Sequence, residues 1–237
     1  MKQLLIFLIP LSFLGANALL EKIDRNLQPV SSESYKKLTN IEPNGSKKTF
    51  LLYQAKKGKE KMVSLFLEPE SEKGRATLRL GDNMWLYIPN VGKPIRIASM
   101  QSVVGGVFNN SDIMRLDFSA EYKVTGQKES SNEYTLTLIA KNSSVAYDKL
   151  IMTVDKKSVT PKKVVCYAST GMLIKTLTYK NIKKFAPGIV RPAVVETVSP
   201  FYKGYKSIMV YGKITPKSFA NEAFTLDNIS KVGTLRR

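Results

Sequence analysis

The stretch from Gly74 to Ile88 constrains the fold of this chain more than any other. Ala76, Leu78 and Leu80 alternate with Arg75, Thr77 and Arg79, the period-2 pattern of a strand with one buried face. Gly81-Asp82-Asn83 then supplies turn chemistry, because glycine tolerates positive φ while Asp and Asn bond their own backbone. The second arm, Met84 to Ile88, holds Trp85, the sole tryptophan of the sequence, and is apolar on both faces. Pro89 ends it, since a central strand cannot lose a donor. A strand apolar on both sides covers a core with one and must meet a second apolar body with the other. The identity of that second body decides the function.

The two-sided character recurs in Met62 to Leu67 and nearly so in Val164 to Tyr167. Thr49 to Ala55, Ile95 to Ile97, Glu133 to Ala140, Lys149 to Val154, Lys163 to Ala168, Met172 to Ile182 and Ser207 to Ile214 read as further strands. Apolar runs spaced by turns every 10 residues or so, roughly, are the mark of an antiparallel sandwich or barrel and not of βαβ units. Leu20, Ile23 and Leu27 predict a short helix over Leu19 to Leu27. Ser31 to Ser34 reads as a loop, Ser34 to Leu38 as a further turn, and Thr215-Pro216 as the start of a late helix. Met100 to Asn110, with Gly105-Gly106 at its centre, predicts a lid-like segment, and Ser111-Asp112 caps a short helix after it.

The first residues carry a targeting pattern. Lys2 is a minimal positive region, Leu4 to Leu14 an apolar run, and Ala16-Asn17-Ala18 an A-x-A cleavage site. An apolar run this short falls well below the roughly 20 residues that span a bilayer. Cleavage after Ala18 is expected, leaving 19–237 as a single exported domain. Cys166 stands alone in a strand-like run, so it reads as a small buried hydrophobe, and stability has to come from the apolar core.

Histidine is absent, which removes the usual general base and the commonest metal ligand. With no patterned pair of carboxylates either, the expectation is a protein that is not an enzyme and holds no metal or cofactor. The net charge of +18 attracts anionic surfaces. In an exported chain, phospholipid or an acidic protein outranks nucleic acid. The same lysines also serve as an ordinary solvated surface that keeps strand edges apart.

Large apolar residues exceed what one core face requires. A curved sheet that closes only partly, with helices plugging its concave side, uses both faces and can leave a cavity. A filled β-sandwich with Trp85 in its core accounts for the same composition.

Three features carry a resemblance to a known family. They are Leu65-Phe66-Leu67-Glu68-Pro69, then Gly74-Arg75 with Gly81-Asp82-Asn83-Met84-Trp85-Leu86-Tyr87-Ile88-Pro89 and Arg96-Ile97, and later Pro161-Lys162-Lys163, Tyr167, Gly171 to Thr176, Tyr179 and Arg191-Pro192. Their order and spacing resemble the outer-membrane lipoprotein-sorting proteins, the LolA-like group. That resemblance implies a mainly β fold with a few short helices: an unclosed antiparallel barrel of about eleven strands, with helices as a lid over a hydrophobic cavity. It implies a periplasmic carrier that takes lipoprotein acyl chains or another lipid towards the outer membrane, with inner- and outer-membrane transport partners. The alternative is an envelope sensor on the same scaffold that binds an anionic partner. The cavity wall is expected to draw on Leu65, Leu67, Leu78, Leu80, Trp85, Tyr87, Leu136 and Leu138, although a one-residue slip exchanges the faces. Met100, Val103, Val104, Val107 and Phe108 are the expected cover. Family carriers have a basic residue before the proline that ends the early strand, where this chain has Glu68. The latch is therefore expected at Arg75 or Arg96.

Overall fold

Among the described residues thirteen antiparallel strands form one sheet, in which every consecutive pair but one lies side by side and the first strand also pairs with the last. The computed structural model describes residues 12–114 and 117–236. Its strands are β1 (Ser31–Ile41), β2 (Lys47–Lys57), β3 (Lys61–Glu68), β4 (Ala76–Leu80), β5 (Asn83–Tyr87), β6 (Ile95–Ile97), β7 (Tyr122–Glu129), β8 (Glu133–Ala140), β9 (Lys149–Asp155), β10 (Thr160–Tyr167), β11 (Leu173–Ala186), β12 (Ile189–Val198) and β13 (Lys206–Pro216). Helix α1 (Ser12–Leu27) precedes them, α2 (Asn110–Met114) and α3 (Phe118–Glu121) lie between β6 and β7, and 3₁₀ turns end the chain at Asn221–Phe224 and Ile229–Arg236. The sheet order is β6-β5-β4-β3-β2-β1-β13-β12-β11-β10-β9-β8-β7.

Met84 of β5 and Val124 of β7, from opposite ends of that order, belong to one buried cluster. The sheet therefore curls round a shared interior without its edge strands pairing. This is the unclosed barrel with helical cover that the resemblance implies, with thirteen strands instead of eleven. Helix α1 lies inside the curl, where Ala16, Leu20, Ile23 and Leu27 join the cluster and the helix packs on β7, β10 and β12. The expected cut after Ala18 falls within this helix, and Lys2 with most of Leu4 to Leu14 lies outside the described residues.

A second core sits on the outer face of β2 to β4. Tyr53, Ala55, Val63, Leu65, Ala76 and Leu78 are covered there by Phe219, Phe224, Ile229 and Val232 of the C-terminal segment. Lys57 Nζ donates to the Phe219 carbonyl at 2.6 Å, and Lys217 Nζ reaches Glu33 at 2.9 Å and the Leu235 carbonyl at 2.7 Å. The outer neighbour of the two-sided strands is thus the chain's own tail.

Three readings are corrected. Ser31 to Leu38 is not loop and turn but part of β1, whose inward residues Ser32, Ser34, Lys36, Leu38 and Asn40 are mostly polar and give no apolar alternation. The late strand does not yield to a helix at Thr215-Pro216: β13 runs to Pro216 and the 3₁₀ turn starts at Asn221. Strand β12, with Arg191 and Ala193 inward, carries no pattern that marked it in advance.

Candidate functional site

Topology builds the site. Strands β6 and β7 are consecutive in the chain yet form opposite edges of the sheet, so residues 98–121 must cross from one edge to the other. They do so over the concave face. Ser102 and Asn109 form an isolated bridge, closed by Val103 N–H to the Phe108 carbonyl at 2.9 Å. Val103, Val107, Phe108, Ile113, Met114 and Phe118 turn inward and are buried, whereas Met100 stays exposed at the rim. Val104 holds φ +48, a strained value for a β-branched residue.

This cover is fastened by polar side chains from the sheet floor. Asn40 Nδ2 donates to the Val104 carbonyl at 3.2 Å. The Ser207 hydroxyl donates to Asn40 Oδ1 at 2.7 Å and accepts from Val107 N–H at 2.8 Å. Gly106 lies so close that a Cβ there would be 2.1 Å from Asn40 Oδ1. Lys175 Nζ donates to the Val107 carbonyl at 2.5 Å and pairs with Asp112 at 2.8 Å. Gln54 donates to the Ile113 carbonyl at 3.0 Å. Arg79 donates to the Met114 carbonyl at 3.0 Å and pairs with Glu121 at 2.6 Å, and Lys56 pairs with Asp117 at 3.3 Å. Asp24 of α1 accepts from the N–H groups of Phe118 and Ser119 at 2.8 and 2.7 Å, joining helix and cover.

Burial sets the electrostatics of these contacts. It pushes the Asp24 carboxyl up to about 6, against the hydrogen bonds from Ser119 and Phe118 that favour its ionised form. Desolvation also moves Lys56 down and Asp117 up, opposing the attraction between them. A buried ion pair of this kind fixes geometry while its net contribution is small, because water would solvate both partners well if the contact opened. The cover is held in register by groups that water can replace.

Beneath it lies a cavity of about 60 Å³, lined by apolar Leu27, Phe108 and Phe118, by Lys36, Arg191 and Tyr211, and by the carboxylates Asp24, Asp112 and Asp117. Pockets for drug-sized ligands run to about 300–1,000 Å³. With the cover down, this cavity has no room for an acyl chain.

Leu136 and Leu138 lie in the inner cluster. Leu65, Leu67, Leu78, Leu80 and Tyr87 do not: they face the outer core under the C-terminal segment. Trp85 pairs across the strands with Leu78 and shares that outer face. The register is the one-residue alternative to the expected set. Inward positions on the same strands belong to Met62, Phe66, Arg79 and Met84. Of the expected cover, Val103, Val107 and Phe108 sit over the concave face, Val104 is half-buried and Met100 is exposed. The latch is elsewhere than expected. Arg75 pairs with Glu72 at 2.9 Å beside the Phe66 ring, and exposed Arg96 donates to Asn83. Arg79, Lys56, Lys175, Gln54, Asn40 and Ser207 hold the cover, and Glu68 is exposed. Arg79 was legible only as the polar half of an alternation, which reads as solvent-facing until both faces prove buried.

A family model described as "-like: Uncharacterized protein" matches residues 58–231. No curated protein matches the sequence significantly. Among solved structures, a LolA superfamily protein from Nitrosomonas europaea is 27% identical with a TM-score of 0.80, over 90% of this chain and 98% of that one. A protein described as an outer-membrane lipoprotein-sorting protein domain, from Vibrio parahaemolyticus, is 17% identical with a TM-score of 0.75, over 90% and 97% of the two chains. A DUF1329 family protein from Desulfovibrio piger is 18% identical with a TM-score of 0.77, over 92% and 98%. The last two likenesses are of fold alone.

Proposed function

We propose that this chain, which belongs to the uncharacterized family spanning its residues 58–231 and to the LolA superfamily, is a periplasmic carrier of acyl chains. One observation carries the reading. The concave face is filled by a crossing segment whose ties to the sheet are polar and ionic, at Asn40, Gln54, Lys56, Arg79, Lys175 and Ser207. The segment also packs Val103, Phe108, Ile113, Met114 and Phe118 into the inner cluster, so its polar ties set its register over an apolar contact. Here, lifting the crossing segment exchanges buried polar contacts for hydration and opens part of the inner cluster that holds Leu38, Leu52, Phe66, Leu136 and Leu138.

The thermodynamics suit a carrier. An acyl chain loses about 0.8 kcal/mol per CH₂ in transfer from water, so a lipid with several chains cannot cross an aqueous space unaided. The carrier must match much of that burial and still release the cargo. A cover that refills the space on release lowers the cost of the empty state.

Export with removal of 1–18 places the protein in the periplasm, as one domain over 19–237. Among the described residues no helix is long and apolar enough to cross a membrane. The net charge of +18 favours approach to anionic membrane surfaces and their transport partners. The reading includes no catalysis.

Titration of the purified protein with a fluorescent long-chain acyl probe tests the proposal. Saturable binding, competed by lipid extract and weakened by Leu136→Asp or Leu138→Asp, is expected. Absence of saturable binding under conditions where the fold is intact would refute it.

A further inference from the structure

Five cations are buried on the concave side: Lys36, Lys56, Arg79, Lys175 and Arg191. Three of them meet a carboxylate of the cover, Lys56 with Asp117, Arg79 with Glu121 and Lys175 with Asp112. Lys36 and Arg191 do not. Each is 3% exposed, and among the described residues neither is within ion-pair distance of an acid. Arg191 donates to the backbone carbonyls of Pro192 and Leu27, and its guanidinium lies 3.8 Å from the centre of the Tyr211 ring. Lys36 Nζ stands 4.7 Å from the same ring. Asp24, which lines the same cavity, has both oxygens engaged by Phe118 and Ser119 N–H groups.

A buried cation without a counter-charge is costly, because its desolvation is not offset. Two side by side cost more. Burial pushes the Tyr211 phenol up, yet the charges of Lys36 and Arg191 and their hydrogen bonds to it outweigh that and bring it down to about 8. Lys36 is itself shifted down, by burial first and by Arg191 and Lys56 among its neighbours, against the opposing pull of Tyr211.

We propose that Lys36, Arg191 and Tyr211 form a binding site for one compact anionic group, a carboxylate or phosphate, at the polar end of an amphiphilic cargo. The cavity of about 60 Å³ holds several waters' worth of volume, enough for such a head. The remaining wall combines apolar Leu27, Phe108, Phe118 and Met209 with the carboxylates of Asp24, Asp112 and Asp117, of which Asp112 is paired with Lys175, Asp117 with Lys56, and Asp24 is held by backbone N–H groups. The inference deepens the carrier reading and rests on it, by giving the cargo an acidic head.

The test compares hexadecanoate, hexadecyl phosphate, hexadecanol and inorganic phosphate on the purified protein and on Lys36→Met. Carboxylate or phosphate amphiphiles should bind at least roughly tenfold tighter than the alcohol, the value of a charge-assisted contact. Lys36→Met should erase that preference and, without ligand, melt about 2–4 °C higher because an uncompensated buried charge is gone. Lys36→Gln, which keeps a donor without the charge, should erase the preference as well. Equal binding of acid and alcohol by the unaltered protein would overturn the anion site and leave acyl carriage standing. If no amphiphile binds but inorganic phosphate raises the melting temperature in a Lys36-dependent way, the carrier reading fails and the anion site stands. A Lys36→Met protein that melts lower than the original would make Lys36 a structural tie to Tyr211 and overturn the proposal.

Discussion

Removing Arg79 should release the cover selectively. Its guanidinium donates to the Gly81 carbonyl at 2.9 Å and the Met114 carbonyl at 3.0 Å, and pairs with Glu121 at 2.6 Å. Both side chains of the pair are under a tenth exposed, at 8% and 7%. Arg79→Met takes the paired guanidinium away from buried Glu121 and the side-chain donor away from the Met114 carbonyl. Breaking one side of a buried pair costs about 3–5 kcal/mol, which corresponds to a fall of about 6–20 °C in Tm for a chain of this size. Because Glu121 and Met114 both belong to the cover, the loss should be local first: amide hydrogen exchange across 110–121 should accelerate before that of β8 to β10. The double change Arg79→Met with Glu121→Met should recover part of the loss, since the carboxylate that Arg79 paired with is removed as well. Urea unfolding of both variants with exchange mass spectrometry measures this. A single variant that loses less than about 1 kcal/mol, or a double variant no more stable than the single, would refute the claim that this pair fastens the cover.

Further outcomes follow from the same contacts. Asp24 has its folded-state pKa raised from 3.8 to about 6, so its contribution to stability is full below the unfolded value and is lost as pH rises through the folded one. Between pH 4 and 7 the unaltered protein should lose up to about 3 kcal/mol relative to Asp24→Asn, read from melting curves at each pH; a parallel pair of curves would contradict the assignment. Gly106→Ala places a Cβ 2.1 Å from the Asn40 amide, which disrupts the hydrogen bonds of Asn40 with Val104 and Ser207 and should destabilise by about 1–3 kcal/mol; Asn40→Ala in the same background should relieve the clash. Phe224→Ala, in the outer core, should cost about 3–5 kcal/mol without weakening acyl-probe binding, which separates the two cores by function.

How far the sequence disclosed this depends on the chemistry of each face. Strands β3, β5, β8 and β9 showed themselves because apolar side chains alternate or run together in them. Strand β1 was hidden because its interior positions carry Ser32, Ser34, Lys36 and Asn40, residues chosen by the cover and the cavity and not by a greasy core. Local pattern cannot distinguish such a strand from a polar loop. The cover was legible in Gly105-Gly106, and Gly106 is small because Asn40 occupies the space beside it. The wall was assigned to the wrong face at Leu65, Leu78 and Trp85, since both faces of β3 to β5 are apolar and only the tail at Phe219 to Val232 decides which is outside. The latch depends on contacts between residues 35 to 100 positions apart, such as Arg79 with Met114 and Ser207 with Val107. No window of sequence contains them.

The central claim is that cargo enters only when residues 98–121 lift. Asn40→Cys with Gly106→Cys replaces the side chain that faces Gly106 by one half of a disulfide, and Cys166 is buried away from solvent. Acyl-probe binding by this protein, oxidised and then reduced, tests the claim directly. The account predicts negligible binding while the disulfide locks the cover and recovery of binding on reduction. Equal binding in the two states would contradict it.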